Sequence, residues 1–147
     1  MWVLMVRRFT ESIEQFSIPT SGHYRFVCAG GKGADGESKS GGKGAVISAT
    51  FALAEGDSLD ILVGGASTAV SSQSGGGGGT FVAINGKTNP LIVAGGGGGT
   101  RGGSNDSDGC DASLSEDGTD GRGSNHASGG RGGMGGASAS SSYGNGG

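Results

Sequence analysis

The stretch GGGGGTFVAINGKTNPLIVAGGGGG, residues 75–99, decides the fold. A pentaglycine runs into residues 80–84, TFVAI, whose β-branched and aromatic side chains suit a strand. Asn85-Gly86 is a strong turn signal, although the connection is longer than a minimal hairpin. Residues 91–94, LIVA, make a second apolar strand, and a second pentaglycine follows. Glycine-rich sequence is usually flexible linker. These blocks are pure glycine rather than mixed Gly/Ser, and they abut strands, so they are expected to belong to the fold.

The same alternation extends upstream. Phe16-Ser17-Ile18 alternates, and Pro19-Thr20-Ser21-Gly22 is turn chemistry. Residues 9–16 have room for two helical turns at most. Residues 23–29 place Tyr24, Phe26 and Cys28 on one face. Residues 30–44 form a glycine-lysine loop. Residues 45–54 alternate again, with Ile47, Ala49, Phe51 and Leu53 on one face. Glu55-Gly56-Asp57 is a tight turn, and residues 58–63 read as a strand buried on both faces. The expected fold class is all-β.

Composition limits the rest. Of 147 residues 37 are glycine and only 2 are proline, which excludes collagen. Nearly all large apolar side chains precede Gly95; beyond it stand only Leu114, Met134 and Tyr143. A conventional core must therefore come from the first two-thirds. In the tail, Gly129-Gly130-Arg131-Gly132-Gly133-Met134-Gly135-Gly136 repeats every three residues, as polyproline II geometry does. Segments without side chains can pack closely in that geometry and bond laterally. Ordering glycine costs at least about 1–2 kcal/mol per residue, so only a bundle of several segments offsets it. The tail is read as either such a bundle or a disordered segment.

A net charge of -3 is too small to argue for nucleic acid or an acidic membrane. Few, scattered aromatics also argue against a nucleic-acid stacking platform. No apolar run approaches the roughly 20 residues of a membrane helix, so no membrane insertion by this chain is expected. Met1 to Val6 is apolar, but Arg7 and Arg8 follow it rather than precede it, unlike a signal peptide. Residues 105–120 hold six acids, Asp106, Asp108, Asp111, Glu116, Asp117 and Asp120, with no Lys or Arg. Such a run is expected to be a solvated loop. Cys28 and Cys110 fit one disulfide or two free thiols.

Enzyme-like strings fail on context. Gly31-Lys32-Gly33-Ala34-Asp35-Gly36 matches GxGxxG and has Glu55 downstream, but Ser38, Ser40, Gly41 and Gly42 follow where a helix is required. Gly86-Lys87-Thr88 resembles a P-loop end, with Phe81 where the earlier glycine belongs. Asp106-Ser107-Asp108-Gly109 spaces acids as an EF-hand does, yet Ser104 and Ser115 occupy the first and twelfth positions. A weak, irregular calcium site at Asp106, Asp108 and Asp111 is the metal reading that survives. Asn105-Asp106-Ser107 is a glycosylation sequon, relevant to a secreted chain. His23 and His126 lack metal-ligand spacing, His23 reads as a solvent-facing strand residue, and no GxSxG occurs. No cofactor and no catalytic residue is expected.

The order of segments resembles the glycine-rich domain of the anaplastic lymphoma kinase and leukocyte tyrosine kinase receptors. Phe16-Ser17-Ile18-Pro19 with Gly22-His23-Tyr24-Arg25-Phe26 resembles its opening, GGKGADG…GGKGA its first glycine loop, and LAEGDSLDILVGG its strand–turn–strand. Residues 75–99 are the most specific match; the tail matches by composition only. The resemblance covers about residues 9–136. It implies an extracellular jelly-roll-like β-sandwich joined to polyglycine helices. The family closes with a further strand, whereas this chain stops at Gly146-Gly147, so an incomplete sandwich is expected. Without a membrane span or kinase domain, receptor signalling does not carry over.

The expected organisation is an extension at 1–8, a β-sandwich part with two glycine loops at 9–100, and a tail at 101–147. The expected function is a non-catalytic extracellular or cell-surface module that presents loops to a protein or glycan partner, with the acids of 105–120 as display surface. Rival readings are a phage-type tail-fibre adhesin tip and a structural matrix or ice-binding protein.

Overall fold

The computed structural model describes residues 5–68, 74–100, 107–122 and 128–132. Six strands form among the described residues: β1 (Glu14–Ser17), β2 (Gly22–Ala29), β3 (Val46–Leu53), β4 (Ser58–Leu62), β5 (Thr80–Ile84) and β6 (Ile92–Ala94). There is no helix among the described residues, and residues 14–17 join a sheet instead of a helical turn. All pairings are antiparallel. One sheet runs β1-β4-β5-β6, and the other is the β2-β3 pair.

Period-two patterning explains the register. Tyr24, Phe26 and Cys28 lie opposite Phe51, Ala49 and Ile47, so the two apolar faces coincide. The Phe26 and Phe51 rings pack 6.0 Å apart, tilted by 56°, a favourable aromatic geometry. From the other sheet come Leu59, Ile61, Val82, Ile92 and Ala94, which join Ile18, Cys28 and Leu53 in one core. Leu59 and Ala94 are 0% exposed. The core thus lies within the first two-thirds of the chain.

β4 departs from the expectation of burial on both faces. Leu59 and Ile61 are buried, while Ser58, Asp60 and Leu62 are only half-buried. The outer face carries Asp60, which accepts hydrogen bonds from Gln15 Nε2 at 3.0 Å and Asn85 Nδ2 at 2.9 Å. These donors meet the requirement of a half-buried carboxylate for hydrogen-bond partners.

The expected turn at 55–57 passes the chain from one sheet to the other. Asp57 caps it, its Oδ2 accepting from Ala54 N at 2.9 Å, and Gly56 takes φ +86°, a region open to glycine. Gly86 at φ +76° does the same in the β5–β6 hairpin, where Lys87 N donates to Ile84 O.

Five glycine-rich segments, residues 30–36, 40–45, 64–67, 74–79 and 95–100, are continuous with the strands and bond to one another, and residues 107–112, which hold the single glycine Gly109, join them as a sixth among the described residues. Gly30 and Gly33 donate to Ala45 and Gly42; Gly31 and Ala34 to Gly78 and Gly75. Gly42 and Ala45 donate to Gly98 and Gly95; Ser74 and Gly77 to Thr100 and Gly97. Each pair of donors is three residues apart, and so is each pair of acceptors. A β-ladder alternates with period two, so this bonding is of another kind. Amides one residue apart reach different segments: Gly97 N donates to Gly31 O and Gly98 N to Cys110 O. Gly31, Gly33, Gly42, Gly97 and Gly109 are buried in this lattice. Thr80 ties it to the sheets: Oγ1 donates to Ala29 O at 2.6 Å and accepts from Gly64 N at 2.9 Å.

Candidate functional site: a charged groove on the glycine lattice

The described acids of the 105–120 run, Asp108, Asp111, Glu116, Asp117 and Asp120, are solvent-exposed, as expected of a solvated loop. Four of them are also held by backbone amides. Asp108 Oδ1 accepts from Ser40 N at 3.0 Å, and Asp111 Oδ1 from Lys43 N at 2.7 Å. In the same register Gly109 N donates to Ser40 O and Ala112 N to Lys43 O. Residues 107–112 are therefore stitched along residues 40–43 by backbone and carboxylate together. The carboxylates are three residues apart because the amides they cap are three residues apart.

The device recurs at residues 117–120. Asp120 Oδ1 accepts from Gly129 N at 2.9 Å and Asp117 Oδ1 from Gly132 N at 2.8 Å. Gly118 N donates to Gly130 O at 2.7 Å. Arg131 closes the clasp, with Nη2 3.0 Å from Asp120 Oδ1 and Nη1 3.7 Å from Asp117 Oδ2. Glu116 is exposed. Asp106 and the sequon residue Asn105 lie outside the described residues, as does His126. His23 is exposed on β2.

The two cysteines are separate thiols. Cys28 is buried in the core, and burial pushes its thiol above its ordinary pKa. Cys110 sits in the lattice with Sγ donating to Asp120 O at 3.1 Å. Of the calcium candidates, Asp108 and Asp111 each commit one oxygen to a backbone amide. No group of three metal-capable side chains comes together among the described residues.

Segments 40–43 and 107–112 form one wall of an open groove of about 330 Å³. Lys32, Lys43 and Arg122 bring cations to it; Ser40, Asp108 and Asp111 bring a hydroxyl and two carboxylates. Lys32 is engaged, its Nζ 2.6 and 2.8 Å from the two oxygens of Asp35. Asp35 also accepts from Gly41 N at 2.8 Å. The Lys32 ammonium, then the Gly41 amide, hold its carboxyl below the ordinary value. Lys43 and Arg122 form no ion pair and no side-chain hydrogen bond among the described residues.

Sequence reasoning selected Asp108 and Asp111 but missed the cations beside them. The spacing carried a signal for the carboxylates that bond along the lattice, and none for Lys43 or Arg122. Lys32/Asp35, Asp108/Asp111 and Asp117/Asp120 all repeat the three-residue period of the glycines. No family model matches the chain, and no curated protein matches it.

Proposed function

We propose that this chain is a non-catalytic binding module of the extracellular surface, in which a polyglycine II-type lattice seated on a jelly-roll-like β-sandwich presents charged loops to a protein or glycan partner. The observation that carries this reading is the three-residue recurrence of lateral hydrogen bonds through the described glycine-rich segments. Three residues per turn is the period of polyproline II geometry, whose backbone has no internal hydrogen bonds and must satisfy its amides sideways. A lattice bonded in several directions is stiff, and a stiff scaffold lowers the ordering cost of binding. The resemblance of residues 75–99 to the glycine-rich domain of the anaplastic lymphoma kinase and leukocyte tyrosine kinase receptors points the same way. The display surface is the charged face at 107–122.

The test uses Asp108→Asn and Asp111→Asn together, with Glu116→Gln. Asn keeps an oxygen for the Ser40 and Lys43 amides while removing the charge, so the lattice stays formed. Binding of the labelled chain to cell surfaces or arrayed glycans should weaken about tenfold. Undiminished binding would move the partner site elsewhere on the module. One feature favours the fibre-tip alternative. Val27 and Val46, 65% and 62% exposed on the outer face of the β2-β3 sheet, are the kind of side chains a subunit interface covers. A trimer in sedimentation equilibrium would select that reading.

A further inference from the structure

We infer that the groove lined by residues 40–43 and 108–111 together with Lys32 and Arg122 is a binding site for an acidic sugar, a saccharide that carries a carboxylate among its hydroxyl groups. This deepens the proposed binding function and rests on it.

The groove offers two kinds of recognition group. Lys43 and Arg122 are cations without protein partners among the described residues. Unlike Lys32, which is engaged by Asp35, they are free to receive an anion. Arg offers a planar fork that matches a carboxylate, and Lys a mobile point charge. Beside them stand Asp108 and Asp111. Their Oδ1 atoms are committed to the Ser40 and Lys43 amides. This fixes both carboxylates and leaves Oδ2 of each to accept from a ligand. A carboxylate accepts hydrogen bonds and cannot donate while ionised, so its natural ligand partner is a hydroxyl. The Ser40 hydroxyl serves as donor or acceptor.

The mixture of signs narrows the ligand. Two bare cations would suit any anion. Two fixed carboxylates next to them repel a densely charged one, such as a phosphate chain or heavily sulfated glycan. A neutral sugar leaves both cations without a partner. A single carboxylate flanked by hydroxyls satisfies both halves of the site, as in a uronic acid. The volume of about 330 Å³ lies at the lower end of small-ligand sites. It suits one or two sugar rings rather than a peptide.

The anchoring is stiff where it matters. Gly41 and Gly109 line the groove and are buried. A Cβ on Gly109 would overlap Gly98 O and Gly42 N. The groove floor is thus the lattice itself, and a ligand finds its acceptors already placed.

The test is an NMR titration of the full chain with three hexasaccharides. Hyaluronan carries one carboxylate per disaccharide, chitohexaose is neutral, and a heparin hexasaccharide adds sulfates. Hyaluronan should shift the Ser40, Gly41, Lys43 and Gly109 amides, with chitohexaose and heparin weaker by about tenfold. Lys43→Gln and Arg122→Gln should each weaken hyaluronan about tenfold while leaving amide exchange at Gly42 and Gly97 unchanged. Hyaluronan binding that neither variant weakens, or heparin binding more tightly than hyaluronan, would overturn the site. If hyaluronan fails but the chain binds another glycan or a cell surface, the groove assignment falls and the binding-module reading stands. Failure of all of these overturns both.

Discussion

At the residue scale, the lattice distinguishes glycines that look identical in sequence. A Cβ on Gly97 would overlap the Gly42 carbonyl, backbone that has no flexible end to move. A Cβ on Gly95 meets nothing nearer than Ala112 Cβ at 3.7 Å among the described residues, an ordinary contact. Gly97→Ala should therefore lose stability by about 1–3 kcal/mol or more through overpacking. Gly95→Ala should gain about 0.4–1 kcal/mol, because alanine narrows the unfolded ensemble. Urea unfolding of both variants reads the difference. Losses of equal size would mean that the segments are not close-packed. Two buried threonines make a second contrast. Thr80 Oγ1 bridges Ala29 O and Gly64 N, whereas Thr100 Oγ1 is buried and makes no hydrogen bond among the described residues. Thr80→Val strands two polar groups and should cost about 1–3 kcal/mol. Thr100→Val removes an unsatisfied one and should be neutral or stabilising. Comparable losses in the two variants would remove Thr80 as the tie between sheets and lattice.

At the element scale, the strands were legible and the lattice only partly so. Alternation at Tyr24-Phe26-Cys28 and Ile47-Ala49-Phe51 sets the faces of β2 and β3, since side chains alternate across any strand. Sheet membership was not legible. Nothing local says that residues 54–57 carry the chain between sheets while residues 85–91 close a hairpin within one. The exposure of the acids was legible and their capping role was not, for a physical reason: a carboxylate that meets only water and one that also caps a backbone amide look alike in sequence, and only the amide's position separates them. Asp35 is the element-scale case with a pH signature. Its carboxyl is held below its ordinary value of 3.8 by Lys32 and by the Gly41 amide. A depressed folded-state value stabilises fully above 3.8, and that support is lost as pH falls through the lower value. The 35–41 loop should therefore keep its Gly41 amide protected at neutral pH and loosen only in strong acid. In Asp35→Asn that acid step should vanish. A step that persists in Asp35→Asn would assign it to another carboxylate.

At the scale of the whole molecule, the question is whether sheets and lattice fold as one unit. Their connectivity says that they do. β2 runs into residues 30–36, residues 40–45 into β3, β4 into residues 64–67, residues 74–79 into β5, and β6 into residues 95–100. Five of the six lattice segments are thus extensions of strands that meet in a common core, and Thr80 adds a side-chain tie. Glycine loses more backbone freedom on ordering than any other residue. The segments depend on strands that already hold their ends in register. Leu59 tests this from a distance: it is 0% exposed and belongs to the β-core rather than the lattice. Leu59→Ala should cost about 2–5 kcal/mol, enough to speed exchange through global opening by roughly 30-fold or more. If the molecule is one cooperative unit, the buried Gly42 and Gly97 amides accelerate by the same factor as Leu59's strand neighbours Phe16 and Ile84. If those glycine amides keep their wild-type rates while the strand amides speed up, the lattice stands by itself. It would then not draw its order from the β-core.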